Sequence, residues 1–167
     1  SFFNYLSTNI NRMKKVIKRG LSFFVTMACF GSIYFVHRLL FDDLGNECFI
    51  AALGAAAVLA FSNSEASTYQ AKNMFLGSIL GATIGVFFNT LSIDKTLAIV
   101  LAISSCVLLM ELTRLKYPPG GAMALIPILS NKVIQDLGYL FILYPVLSGI
   151  SILFFFSKIQ KIINKKL

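Results

Sequence analysis

The residues best suited to chemistry lie in the run Arg114-Leu115-Lys116-Tyr117-Pro118-Pro119-Gly120-Gly121 and the apolar stretch that follows it to Leu129. Tyr117 precedes a proline and is driven toward extended backbone, while Pro118 and Pro119 remove two backbone donors and suit a first helical turn. Gly120 and Gly121 clear side-chain bulk. The expected object is a short helix, about Gly120 to Leu129, whose positive dipole end is flanked by Arg114 and Lys116. Such a helix start is a candidate anion site at membrane depth. The same residues also suit a plain loop between two spans, with the basic pair facing lipid headgroups. A second polar group, Gln70, Lys72 and Asn73, closes the stretch 62–73 and adds one more cation and two amides.

Other chemistries find little to work with. His37 is the single histidine, so no His pair is available for metal binding, and its expected place is the interface beside Arg38. Cys29, Cys48 and Cys106 are scattered without ligand spacing and suggest neither a disulfide framework nor a metal site. Glu111, Asp136 and His37 share no spacing that acid–base catalysis would need, and Glu111 is expected to pair with Arg114 three residues along one helix. No enzyme activity, metal or cofactor is expected.

Composition names the solvent. With 57% hydrophobic and 13% charged residues among 167, and a mean hydropathy of +0.78, the chain lacks the polar surface of a soluble domain. It reads as an integral membrane protein whose first partner is lipid. A net charge of +8 could suit nucleic acid, but the basic residues gather at the termini and in short loops beside apolar runs, where they act as topology signals. No nucleic-acid partner is expected.

The elements that must hold the candidate site follow from periodicity. Residues 1–19 carry Phe2, Phe3, Leu6, Ile10, Met13 and Ile17 at spacings of three and four opposite Arg12, Lys14, Lys15, Lys18 and Arg19, an amphipathic helix expected to lie on the membrane. A retained first span covers 20–41, too long for a signal core. The run 48–61 is short and crowded with Ala51, Ala52, Gly54, Ala55, Ala56 and Ala57, which favours burial among other helices. A third run, 74–91, carries Gly77, Gly81 and Gly85 four apart, a helix-packing face. A fourth covers 96–112. The fifth is the proline-headed segment, and the sixth, 137–156, should bend at Pro145. A basic tail, 158–167, closes the chain.

The fold class expected is therefore all-α: a polytopic membrane helix bundle of four long spans plus two short Gly/Pro-broken segments. The transmembrane domain, 20–157, divides into halves 20–91 and 96–156, each ordered long, short, long. Paired short segments in matching positions of two halves are the pointer to a transporter's central site. If all six runs cross, twelve of the 15 basic residues share a side with both termini; if the short ones only re-enter, ten do. The positive-inside rule favours six crossings with cytoplasmic termini.

The stretch Leu112-Thr113-Arg114-Leu115-Lys116-Tyr117-Pro118-Pro119-Gly120-Gly121-Ala122-Met123-Ala124-Leu125 resembles the signature of the HPP family of integral membrane proteins, with Tyr117 where the family has histidine, Gly120 for a common alanine and Met123 for a common threonine. Gln70-Ala71-Lys72-Asn73 is similar to the family's Gln-Pro-Arg-Asn, and Gly77, Gly85, Pro145-Val146 and Gly149 also fit. The resemblance covers roughly 20–157. It implies a transporter core, described for the family with four transmembrane helices, and a small inorganic anion such as nitrite as substrate. The expected binding residues are Gln70, Lys72, Asn73, Arg114, Lys116, Tyr117, Pro118, Pro119, Gly120 and Gly121. The expected setting is a multi-pass protein of a bacterial inner membrane, with self-association left open. The alternative is an assembly subunit without transport activity.

Overall fold

The computed structural model describes the backbone of residues 2–40, 47–61 and 71–166. These fold into helices α1 (Phe2–Leu40), α2 (Glu47–Phe61), α3 (Ala71–Thr90), α4 (Lys95–Leu112), α5 (Pro118–Leu129), α6 (Lys132–Asp136) and α7 (Ser148–Lys166), with a kinked helical segment, Ile142–Leu147, leading into α7. No strand occurs among the described residues. Four stretches are long and apolar enough to cross a bilayer: Asn9–Arg38, Ala71–Thr90, Lys95–Leu112 and Ile142–Lys166. The two short apolar helices are α2 and α5; at 1.5 Å per residue, α5 is about 18 Å long against about 30 Å of hydrocarbon.

Three expectations change in detail. Residues 2–40 form one unbroken helix, so nothing in the backbone marks a boundary at residue 19. The basic tail is not separate either, since α7 continues to Lys166 and buries Ser157 and Gln160. His37 faces another helix and not the surface: it is only 5% exposed, and its Nε2 lies 3.0 Å from the Ser148 hydroxyl. The bend at Pro145 is present as a local break, because Tyr144 leaves helical geometry at φ −143°, ψ 120°.

Specific contacts fix the helix directions. His37 meets Ser148, and Gln160 Nε2 donates to Ser22 Oγ at 2.9 Å. Numbers fall on one helix as they rise on the other, so α1 and α7 are antiparallel. The turn from α3 to α4 is closed by Asp94, whose carboxylate accepts from the N–H groups of Thr96 at 2.9 Å and Leu97 at 3.2 Å, capping the start of α4.

The closest packing is between α3 and α5, and it rests on the glycine ladder. A Cβ added at Gly77 would stand 2.5 Å from Tyr117 Cβ; at Gly81 it would strike the Gly120 carbonyl, and at Gly85 the Ala124 carbonyl. Positions rise together, so α3 and α5 run parallel with their backbones nearly touching, the approach that small residues permit in membranes. By this register Tyr117 sits level with Gly77, six residues into α3, which sets the start of α5 back by about 9 Å. The other end of α5 is flush, with Leu129 near the level of Thr90.

The packed pairs can be compared with the two expected halves. Exchanging α1–α2–α3 for α4–α5–α7 turns the α1–α7 contact into α4–α3 and the α2–α7 contact into α5–α3, and leaves α2–α5 unchanged. All of these pairs are packed in the structure. That is the pattern expected of two halves related by a pseudo-two-fold.

Candidate solute-binding site

The site is built from the α3 face that meets α5. Along α3 the buried positions other than Ile84 fall in two adjoining columns, Asn73-Gly77-Gly81-Gly85 and Met74-Ser78-Ala82-Val86. The first column lets α5 approach. The second brings Ser78 against the side chain of Tyr117, which is only 1% exposed. The Tyr117 hydroxyl lies close enough to that of Ser78 to interact with it, but neither oxygen has a partner at hydrogen-bonding distance and angle. From the other side α4 supplies Met110, whose methyl group abuts Gly120, and Cys106, whose thiol lies 3.8 Å from the Gly120 carbonyl.

The start of α5 is as Pro118-Pro119 dictates, with one consequence the sequence reading missed. Tyr117 is the extended N-cap residue, at φ −141°, ψ 89°, and the prolines occupy the first two helical positions. Neither has an N–H, and the Gly120 N–H donates to the Tyr117 carbonyl at 2.9 Å. The first three helical positions therefore offer no free backbone donor. An anion cradle of exposed N–H groups is not formed here, because the prolines that mark the helix start also strip it of donors. What remains is the positive end of the dipole.

The expected site residues divide by depth. Asn73, Tyr117, Pro119 and Gly120 are buried; Lys72, Arg114, Lys116 and Pro118 are exposed; Gly121 is half-buried, with open space where a Cβ would stand. Gln70 lies outside the described residues. Parallel packing of α3 and α5 puts Lys72 at the same end of the bundle as Arg114 and Lys116. Arg114 has left-handed backbone, φ 56°, and follows the end of α4. Its N–H still donates to the Glu111 carbonyl at 3.2 Å, but its own backbone is no longer helical, so the expected helical side-chain pair of those two is not set up. Ser78 was not singled out from sequence; its place four residues from Met74 and Ala82, beside the glycine column, was the available signal. No group of three metal-ligating side chains occurs among the described residues.

With this geometry in hand, the comparison with known proteins is direct. The chain matches the HPP transmembrane region over residues 9–166. It belongs to the HPP family. Two transmembrane proteins of Dictyostelium discoideum are similar: one is 31% identical over 111 residues, 64% of this chain and 39% of the relative. The other is 33% identical over 104 residues, 60% of this chain and 33% of the relative. The matched part is thus well under half of either relative's length. Their source gives the expected bacterial inner membrane no support. No solved structure matches this HPP chain.

Proposed function

We propose that this HPP protein transports a small solute, an inorganic anion such as nitrite, with its site at the set-back start of the short helix α5. The observation that carries the reading is the set-back start of the short helix α5 beneath an end of the bundle that bears Lys72, Arg114 and Lys116. Exposed cations above a buried, side-chain-poor seam raise the local concentration of anions and leave the deeper contact to neutral groups. The positive end of the α5 dipole points the same way.

The distribution of basic residues supports six crossings. Antiparallel α1 and α7 put the start of α1 and the end of α7 on one side, and parallel α3 and α5 put Lys72, Arg114 and Lys116 on one side; six crossings make these the same side. Twelve of the 15 basic residues then share that side, which the positive-inside rule makes cytoplasmic.

The test is anion uptake into proteoliposomes by the parent and by the variants Lys72→Gln, Arg114→Gln and Lys116→Gln, singly and combined, each first checked for normal folding. The combined variant should raise the apparent KM for nitrite about tenfold at low salt, with the difference shrinking as ionic strength rises and screening takes over. Equal KM for parent and combined variant at all salt concentrations would reduce the three cations to headgroup anchors.

A further inference from the structure

We infer that Ser78 and Tyr117 are the solute-contacting pair of an occluded site between α3 and α5, gripping a small dehydrated anion through two neutral hydroxyls. This rests on the transport reading for its ligand class, but on separate observations for its residues. Ser78 is fully buried and Tyr117 is 1% exposed, and the hydroxyl oxygen of each lacks a hydrogen-bond partner. A hydroxyl without a partner is costly in an apolar interior, and water cannot freely relieve it at membrane depth. Two such groups close together on facing helices, neither within hydrogen-bond geometry of the other, mark a place where a partner from outside the chain belongs.

The surroundings fit an anion held by neutral donors. The first three positions of α5 offer no free backbone N–H, since Pro118 and Pro119 have none and that of Gly120 donates to the Tyr117 carbonyl, so the hydroxyls are the donors available there. The cations Lys72, Arg114 and Lys116 are exposed and therefore attract without contacting the buried pair. Met110 and Cys106 back the seam with weakly polar atoms. Each hydroxyl can turn its proton toward the ligand, and the positive end of the α5 dipole favours a negative occupant.

The experiment compares the purified parent with Ser78→Ala, Tyr117→Phe and the double variant, by thermal unfolding in detergent with sodium nitrite, sodium formate or sodium chloride. Flux of the same anions in proteoliposomes is measured in parallel. The pair predicts that nitrite or formate stabilises the parent and that the double variant needs at least tenfold more anion for the same stabilisation. Its anion-free melting temperature should match or exceed the parent's, because two unpaired buried hydroxyls have been removed. If the two groups merely bond each other, the single variants lose anion-free stability and keep full anion binding, which overturns the inference. Failure of every anion to stabilise the parent overturns it as well. Absent flux with pair-dependent binding sinks transport alone, whereas flux of unchanged affinity in the double variant sinks the pair alone.

Discussion

At the scale of single residues, local chemistry is read most directly where a side chain has one job. Asp94 caps α4 by accepting from two backbone N–H groups. Asp94→Ala should cost about 0.5–2 kcal/mol, visible as a lower unfolding midpoint with anion flux preserved. An unchanged midpoint would mean that water replaces the cap without loss. At the site, what sequence made legible were the residues whose backbone rules are strong. Tyr117 is extended before Pro118, the prolines open a helix, and the glycines admit a neighbour. What it hid were properties that depend on a partner. His37 became an interhelical tie because Ser148 lies opposite, and Ser78 became a site candidate because Tyr117 packs over it. No spacing within the chain reveals contacts between residues 39 or 111 positions apart.

At the scale of elements, the pairing of α3 with α5 is the feature on which the site depends. Gly81 and Gly121 provide a matched comparison. A Cβ at Gly81 strikes the Gly120 carbonyl, whereas one at Gly121 meets nothing within 4 Å. Gly81→Ala should therefore destabilise the folded protein by about 1–3 kcal/mol through overpacking, and Gly81→Leu should abolish folded yield in detergent. Gly121→Ala should be neutral or stabilising by up to about 1 kcal/mol, since alanine is the better helix former. Equal stability of Gly81→Ala and Gly121→Ala would show that the two helices are not in backbone contact. The ladder itself was legible as a packing face, but its partner was not. Nor was the continuity of α1, because an amphipathic segment and an apolar one can share a single helix when no proline or turn residue divides them.

At the scale of the molecule, composition and run lengths were enough to define a helical membrane bundle of four long and two short segments. In a six-crossing arrangement Lys116 and Lys95 lie on opposite faces, with Lys116 cytoplasmic; in a four-crossing arrangement they are also opposed, but reversed. In a background with Cys29, Cys48 and Cys106 replaced by alanine, Lys95→Cys should react with a membrane-impermeant thiol reagent added outside intact cells and Lys116→Cys should not. The reverse pattern would make α2 and α5 re-entrant.

The claim that joins all three scales is that this bundle moves a small anion across the membrane, and uptake of nitrite by proteoliposomes tests it most directly. The account predicts saturable uptake by the parent above protein-free vesicles, weakened by neutralising Lys72, Arg114 and Lys116. Uptake indistinguishable from protein-free vesicles, for nitrite and formate alike and with protein shown to be folded in the bilayer, would contradict it and leave a membrane assembly subunit in its place.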